Sequence, residues 1–329
     1  MTSENYAAVH TEISQKIARA GRVAVIAHIR PDGDAVGSTL GLTLALREAG
    51  KQATPVLLDG VPAALRYIPG ADLVVRELPA DIDLLITVDC SDLQRTGGVL
   101  GARVPDINID HHITNTCFAQ TNLVVGHAVA TCAILAGSLE TWGLHINRTV
   151  AEALLTGIVT DTIGFRTNNV TAEALRLAAN LMDTGANLPE IYMRALVNKT
   201  YEAARFWGIG LEKLVREDGL VWTTLSLQDR QSAQYPGNDD ADLINMLSSV
   251  ETKVALIFVE QKNQHVKVSW RARPGYDVAK IALQFGGGGH AAAAGADIPG
   301  SLSDVQQSVL IATRTMLAGT VEGETRKKK

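Results

Sequence analysis

The chain has 329 residues, of which 46% are hydrophobic and 20% are charged, and its formal net charge at pH 7 is −5. This length favours two domains, and no apolar run approaches the roughly 18 residues that a membrane-spanning helix needs. The acidic balance argues against a broad basic surface, so we expect neither a membrane nor long duplex nucleic acid as a partner. Three cysteines without a CxxC pair, and a helical pattern in place of a signal peptide over residues 1–20, predict a cytoplasmic protein.

The first polar motif follows a predicted buried strand. Residues 23–27 form a continuous apolar run, typical of a strand covered on both faces, and the run ends at His28. A turn with Asp32 and Asp34 comes next and leads into a helical pattern. Ligands bind at the carboxyl ends of the strands in a parallel sheet, which is where this turn would lie. An ordinary turn and helix cap would also explain the two aspartates, but it would leave His28 unexplained.

Two more predicted strands end in residues of the same kind. The strand over residues 84–88 ends at Asp89, and the strand over 107–109 ends in the Asp-His-His triplet at 110–112. Arg95 follows Asp89 closely enough to face the same edge of the sheet. The sequence therefore predicts that acidic and histidine side chains from three strands meet at one edge.

From residue 128 the pattern becomes helical, with apolar residues at helical spacing over 130–144, 150–159 and 171–182. Asp161 lies at the end of the second of these helices. An aspartate among apolar neighbours is costly unless it is paired or bound to a cation. A helix-terminal aspartate with satisfied hydrogen bonds is the alternative.

The pattern of apolar and turn residues also predicts how the chain divides into domains. Short strands at 56–58 and 73–75 would belong to the first domain. We place a first domain at residues 1–186, a helical linker or hinge at 187–215, a second domain at 216–323 and a basic tail at 324–329. In the second domain we expect strands at 220–227, 254–259 and 266–270 and helices at 240–250 and 278–285.

The second domain carries a candidate phosphate site. Alternation along the strand at 266–270 places Ser269 and Arg271 on one face, where the arginine could form a forked bond to phosphate. Four glycines at 286–289 would let the backbone approach an anion, and a helix beginning at 291–294 would direct its N-terminus at the same ligand. A flexible linker is the alternative explanation for the glycines.

The candidate ligands in the first domain are oxygen and imidazole donors without thiolates. They are His28, Asp32, Asp34, Asp89, Asp110, His111, His112 and Asp161. Such donors suit Mn²⁺ or Mg²⁺ better than a structural zinc ion. Their number exceeds the needs of one ion, which favours two ions roughly 3.5–4 Å apart that share a carboxylate. Two such ions can deprotonate a water and clamp a phosphoryl oxygen, so the donor set predicts phosphate-ester hydrolysis.

The order and spacing of these motifs resemble the DHH phosphoesterase superfamily. The segment 269–273, with the four glycines and His290, resembles the C-terminal domain associated with that family. The resemblance covers about residues 5–320, and the length resembles the nanoRNase/pAp phosphatase (NrnA-type) branch more than the RecJ branch, which usually carries extra domains. It implies an α/β fold with an N-terminal doubly wound parallel sheet, a smaller C-terminal mixed α/β domain, and an active site in the cleft between them.

The resemblance also implies a role for each site residue. One ion, Mn²⁺ or another divalent ion such as Mg²⁺, would be bound by His28, Asp32 and Asp89. A second ion would be bound by Asp34, Asp89, His111 and Asp161, with Asp89 as the bridge. Asp110 would orient the histidines, and His112 would reach the substrate phosphate and protonate the leaving oxygen. The residues that would hold the nucleotide are Arg271, Gly287, Gly288, Gly289, His290, Arg95 and Ser269.

The implied function is hydrolysis of short oligonucleotides (nanoRNA) to mononucleotides and of 3′-phosphoadenosine 5′-phosphate to AMP. Three alternatives stay open: a phosphodiesterase for cyclic or linear dinucleotides such as c-di-AMP and pApA, a polyphosphate or pyrophosphate hydrolase, and a non-catalytic nucleotide sensor. The complete set of metal ligands argues against the sensor. A homodimer is compatible with this interpretation, and short oligonucleotides or small nucleotides are the expected binding partners.

Overall fold

The computed structural model describes residues 3–326, with side chains described for residues 6–318. The chain divides into two compact units, Met1–Asn198 and Lys199–Lys329. The boundary between them lies inside the segment 187–215, whose role as a hinge stays a prediction. Residues 327–329 of the predicted basic tail lie outside the described residues.

The first unit contains a parallel sheet with helices on its faces. Its helices are α1 (Ser3–Arg19), α2 (Gly33–Glu48), α3 (Thr131–Ser138), α4 (Arg148–Asp161), α5 (Ala172–Asp183) and α6 (Leu188–Tyr192). Its strands are β1 (Arg22–Ile26), β2 (Gln52–Val56), β3 (Leu84–Val88), β4 (Ile107–Asp110) and β5 (Thr121–Val124). Short 3₁₀ turns lie at Ala63–Leu65, Ala71–Leu73, Gln94–Thr96 and Glu140–Trp142, and a π-helical turn lies at Met193–Val197.

The order of the strands explains where a site can form. The sheet has the order β2-β1-β3-β4-β5, and every pairing in it is parallel. The strand order reverses between β1 and β3, which leaves a crevice at the carboxyl ends of these two strands. The chain leaves β1 towards His28 and leaves β3 at Asp89. The predicted doubly wound parallel sheet is confirmed.

Helices α2 and α4 approach each other closely because glycines occupy their contact. Gly33, Gly37 and Gly41 recur at every fourth position of α2 and so lie on one face of the helix. A Cβ atom on Gly37 would lie 2.6 Å from the backbone oxygen of Ala153, and one on Gly41 would lie 2.7 Å from Leu154 Cδ2. The glycines therefore set the spacing of the two helices.

The second unit contains a mixed sheet covered on both faces. Its helices are α7 (Tyr201–Glu212), α8 (Leu227–Ala233), α9 (Leu243–Leu247), α10 (Ala279–Gln284) and α11 (Leu302–Arg326). Its strands are β6 (Val215–Glu217), β7 (Leu220–Leu225), β8 (Val254–Gln261), β9 (His265–Ala272), β10 (Gly288–His290) and β11 (Ala293–Pro299). The order is β10-β11-β9-β8-β7-β6, and only the β7–β8 pairing is parallel among the described strands.

Alternation along β8 divides the core of the second unit in two. Leu256 and Phe258 pack with Trp270 on one face, whereas Ala255 and Ile257 pack on the other face with the cluster around α7 and α9. A strand that is buried on both faces reads as a continuous apolar run, which is why β8 was predictable. The predicted mixed α/β arrangement is confirmed.

Several predicted elements differ from the structure. The strand expected at 73–75 is wrong, because a 3₁₀ turn occupies Ala71–Leu73 and Val75 forms only an isolated bridge to Val56. The helix expected at 240–250 is reduced to α9, because Ala241 and Asp242 adopt positive φ angles of 53° and 65° that no helix contains.

Two strands of the structure were not expected from the sequence. The helix expected to begin at 291–294 is wrong, because Ala293 and Ala294 pair with Arg271 and Trp270 of β9. Backbone pairing there overrides the helix preference of alanine. Strand β5 was not predicted, although it pairs with β4 along its whole length.

We predict that Gly37→Ala lowers the free energy of unfolding by about 1–3 kcal/mol, because the new methyl group would overlap the backbone of α4. Urea unfolding followed by circular dichroism measures the change. Gly137→Ala in α3 is the matched control, since the nearest atom to its Cβ would be Leu177 Cδ2 at 4.0 Å. Equal stability of the Gly37→Ala variant and the wild-type protein would contradict the prediction.

Candidate metal centre

His28 and Asp89 meet in the crevice between β1 and β3. His28 Nε2 lies 3.5 Å from Asp89 Oδ2 and 3.8 Å from Asp32 Oδ2. The other ring nitrogen, His28 Nδ1, lies 2.8 Å from the backbone oxygen of Ile29. This contact places the proton on Nδ1 and leaves Nε2 as the donor atom towards the carboxylates.

A second group of donors gathers around His111, beside the first. His111 Nε2 lies 3.6 Å from Asp89 Oδ1, 3.9 Å from Asp34 Oδ2 and 3.7 Å from Asp161 Oδ2. Its Nδ1 lies 3.3 Å from the backbone oxygen of Ala128, so this ring is oriented in the same way as His28. Asp89 thus presents Oδ2 to one group and Oδ1 to the other, which is the geometry of a bridging carboxylate.

These distances suit donors that share an ion. Two atoms that each lie about 2 Å from one ion are about 3–4 Å apart, which is longer than a direct hydrogen bond. Within residues 3–326, three sets of donors have their atoms within 4.8 Å of one another. They are His28 with Asp32 and Asp89, Asp34 with His111 and Asp161, and Asp89 with His111 and His112.

Burial and the neighbouring charges shift the pKa values of the groups in this cluster. Burial, together with the neighbouring carboxylates, raises the pKa of Asp34 well above its usual range and raises the pKa of Asp161 to about 7. Burial also opposes protonation of His111, but the surrounding aspartates outweigh it and raise the pKa of His111 to about 9. The folded chain therefore holds more negative charge here than its own groups neutralise, which favours a bound cation.

Asp32 has two tasks at once. Its Oδ1 accepts hydrogen bonds from the backbone N–H groups of Asp34, at 3.1 Å, and Ala35, at 3.0 Å, and so caps α2. Its Oδ2 is the oxygen that lies 3.8 Å from His28 Nε2. A helix cap and a metal ligand, which were alternatives in the sequence, are compatible with each other in the structure.

The start of α3 supports the cluster, and sequence reasoning missed this. The backbone N–H groups of Thr131 and Cys132 donate to the two oxygens of Asp34, at 2.6 and 2.9 Å, and the Thr131 hydroxyl donates to Asp89 Oδ1 at 3.1 Å. Ala130 occupies the N-cap position of α3 and has no side-chain oxygen to offer. Asp34 takes over the capping role. The absence of a capping side chain before α3 was therefore the one signal in the sequence that another residue binds the start of this helix.

Asp110 and His112 form a hydrogen-bonded pair next to the cluster. His112 Nδ1 lies 2.7 Å from Asp110 Oδ1, and the same oxygen accepts a bond from the His111 backbone N–H at 2.9 Å. Asp110 is fully buried. The Arg95 backbone oxygen accepts a hydrogen bond from the Ile29 backbone N–H at 2.8 Å, so Arg95 lies beside the segment that follows β1.

The second unit brings Arg271 and Ser269 to the half-buried face of β9, as alternation predicted. Arg271 Nη2 donates to Asn245 Oδ1 at 3.1 Å, and Nη1 donates to the backbone oxygen of Trp270 at 3.0 Å. Arg271 Nε is buried and has no hydrogen-bond partner among the described residues. A guanidinium has five N–H donors, and the two contacts above use one at Nη1 and one at Nη2, so donors remain for an anionic ligand.

The four glycines have a different structural role from the expected one. Gly288–His290 form strand β10, which pairs with β11, and the next element along the chain is this strand rather than a helix. A Cβ atom on Gly287 would lie 2.2 Å from the backbone oxygen of Gly295, and Gly289 adopts a φ of 137°. The helix N-terminus expected beside the glycines is therefore wrong, and Gly287 and Gly289 allow the close approach of two strands.

Comparison with known proteins places the chain in a family. Residues 22–158 match the model for the DHH family, N-terminal domain, and residues 232–314 match the DHHA1 domain. The bifunctional oligoribonuclease and PAP phosphatase NrnA of Thermus thermophilus is 35% identical over 303 residues, which are 90% of each chain. The chain belongs to the DHH family of phosphoesterases. The resemblance predicted from the DHH motifs is thereby confirmed.

Solved structures share the fold of this DHH protein. An exopolyphosphatase-related protein from Bacteroides fragilis matches with a TM-score of 0.86 at 22% identity, over 95% of this chain and 96% of that one. RecJ of Thermus thermophilus in complex with Mn²⁺ matches with a TM-score of 0.56 at 12% identity, over 98% of this chain and 55% of that one. Over residues 3–326, no helix combines the length and the apolar character that a membrane crossing requires.

We predict that, without divalent ions, the free energy of unfolding falls as the pH rises between about 6 and 9. Folding raises the pKa of Asp161 from 3.8 to about 7 and that of His111 from 6.5 to about 9, so the folded state binds more protons than the unfolded state across this range. Urea unfolding in a chelating buffer at several pH values measures the slope. Asp161→Asn should flatten it below about pH 7, and a slope of opposite sign would contradict the prediction.

Proposed function

We propose that this DHH protein is a two-metal phosphodiesterase and phosphatase that hydrolyses short oligonucleotides to mononucleotides and 3′-phosphoadenosine 5′-phosphate to AMP. The observation that carries the proposal is Asp89, whose two oxygens face two adjacent groups of donors. The substrates are suggested by the Thermus thermophilus relative, whose name includes both activities. We also propose a cytoplasmic location.

The donors fit divalent ions of the Mn²⁺ or Mg²⁺ type. The arrangement favours one ion at His28, Asp32 and Asp89, and another at Asp34, Asp89, His111 and Asp161. Both histidines donate Nδ1–H to a backbone carbonyl, which is the usual support of a metal-binding imidazole. Ions bound there supply an acidified water and neutralise phosphate charge.

The protein groups around the ions then have distinct tasks. The Asp110 carboxylate holds the Nδ1 side of the His112 ring, so the ring has a defined orientation and its proton is favoured on Nδ1. We propose that His112 acts in its doubly protonated form: it meets the substrate phosphate through Nε2–H, donates that proton to the leaving oxygen of the ester, and keeps the Nδ1 proton on Asp110. Because the leaving group of a nucleotide is an alkoxide, this proton transfer lowers the barrier for a poor leaving group.

Arg271 is our candidate for substrate selection. Its guanidinium is anchored by Asn245 and by the backbone of Trp270. A terminal phosphate of a short nucleotide would accept from N–H groups of the guanidinium that these two contacts do not use. Ser269 lies two residues away on the same face of β9. We also propose substrate contacts for Arg95 in the first unit, and for His290 and the glycines 287–289 in the second.

The experiment that tests the function is hydrolysis of a panel of substrates with Mn²⁺. The panel contains di- to pentaribonucleotides, 3′-phosphoadenosine 5′-phosphate, cyclic di-AMP and pyrophosphate. Turnover of the short oligonucleotides and of 3′-phosphoadenosine 5′-phosphate supports the proposal. Turnover of cyclic di-AMP or pyrophosphate alone would replace it with another hydrolase activity, and no turnover at all would favour a nucleotide sensor.

We predict that Asp89→Asn lowers kcat for a dinucleotide by at least about 100-fold, because an amide cannot bridge two cations. Calorimetric titration with Mn²⁺ should show that tight binding of at least one ion is lost. Asp106→Asn is the matched control, since the Asp106 carboxylate accepts from the backbone N–H of Leu85 at the opposite edge of the sheet. Near-normal activity of Asp89→Asn would refute the bridging role.

We predict that Arg271→Ala raises KM for a dinucleotide by about tenfold or more while leaving KM for bis(p-nitrophenyl) phosphate within about threefold. The aryl ester has no terminal phosphate for the arginine to hold. Arg314→Ala serves as the control, because Arg314 forms an exposed ion pair with Glu217 in the same unit. Equal changes for both substrates would rule out the role of Arg271 in substrate selection.

A further inference from the structure

We infer that Asn115 is a positioning residue, which holds the Asp110 carboxylate and thereby the ring of His112. Asn115 follows the Asp-His-His triplet and belongs to none of the three donor sets of the metal centre. The inference rests on the proposed function, because it acts through the proton that we assign to His112.

The hydrogen bonds of Asn115 define the orientation of its amide. Asn115 Nδ2 donates to Asp110 Oδ2 at 2.6 Å and to the backbone oxygen of Cys90 at 3.0 Å. Its Oδ1 accepts from the backbone N–H of Cys117 at 2.7 Å. Two acceptors face the nitrogen and one donor faces the oxygen, so every partner agrees with a single amide orientation.

Asn115 completes the hydrogen bonding of a fully buried carboxylate. Asp110 Oδ1 accepts from the His111 backbone N–H and from His112 Nδ1, and Asp110 Oδ2 accepts from Asn115. Without the amide, Oδ2 would be a buried charged oxygen with one strong donor fewer. Rotation of the carboxylate towards another donor would then move the oxygen that orients His112.

Asn115 also connects the two strand ends that form the centre. Its bond to Cys90 joins the loop after β4 to the residue that directly follows Asp89. The Thr116 backbone N–H strengthens this connection by donating to the Ser91 oxygen at 2.9 Å. A single amide therefore relates the position of His112 to that of the bridging carboxylate.

The leaving group of the substrate provides a specific test. Hydrolysis of a dinucleotide releases a basic alkoxide, which needs the proton that we assign to His112. Hydrolysis of bis(p-nitrophenyl) phosphate releases a weakly basic phenolate, which needs that proton far less. A residue that positions the proton donor affects the first substrate selectively. A residue that only maintains the fold or the ions affects both substrates equally.

Asn115→Asp is the informative variant, because it has nearly the same shape and keeps the acceptor for Cys117, while its ionised carboxylate donates neither bond and repels Asp110 Oδ2. We expect kcat for the dinucleotide to fall by about 10–100-fold, with KM and the Mn²⁺ requirement within about twofold. The kcat for bis(p-nitrophenyl) phosphate should stay within about threefold of the wild-type value. Asn115→Ala should show the same selectivity.

Asn122→Ala is the matched control. Its amide also binds the backbone of this loop, at Cys117 and Ala119, but it does not contact Asp110. Equal losses of Asn115→Asp on both substrates, or unchanged activity on the dinucleotide, would overturn the positioning role. Failure of the wild-type protein on every nucleotide of the panel would instead overturn the proposed function, so the two failures are distinguishable.

Discussion

Repulsion among Asp34, Asp89 and Asp161 is the constraint on which the first unit depends. The three carboxylates lie within a few ångströms of His111, in surroundings where water screens charge poorly. Hydrogen bonds stabilise part of this negative charge: two backbone N–H groups of α3 donate to Asp34, and the Thr131 hydroxyl donates to Asp89. Burial, and after it the neighbouring carboxylates, raise the pKa values of Asp34 and Asp161, and bound cations would favour the ionised forms of both groups.

The packing of helices α2 and α4 also sets the positions of donors in the candidate metal centre. Asp34 lies in the first turn of α2 and Asp161 at the end of α4, so their separation follows from the spacing of these helices. A Cβ atom on Gly157 would lie 2.2 Å from Cys132 Sγ and 2.8 Å from Asp34 Oδ1. The small residues therefore serve the geometry of the donors as well as the apolar core, and a change in either would disturb both.

In the second unit, strand pairing rather than helix packing positions the candidate substrate-binding residues. Its glycines allow β10 to lie close against β11, and β9 presents Arg271 on its half-buried face. The guanidinium is held at Nη1 and Nη2, and its buried Nε has no hydrogen-bond partner among the described residues. An arginine held in this way is already ordered, whereas a flexible glycine loop would have to be ordered on binding.

The sequence by itself predicted the parallel arrangement of β1, β3 and β4 and supplied every metal ligand that we propose. Buried strands read as apolar runs, and the acids and histidines at residues 28, 89 and 110–112 mark their carboxyl ends. It could not determine the 291–294 segment, because pairing with β9 outweighs the preference of alanine for a helix. Nor could it show that Thr131 and Asn115 support Asp34, Asp89 and Asp110. Those contacts join residues from separate loops and helices, so only the tertiary structure decided them.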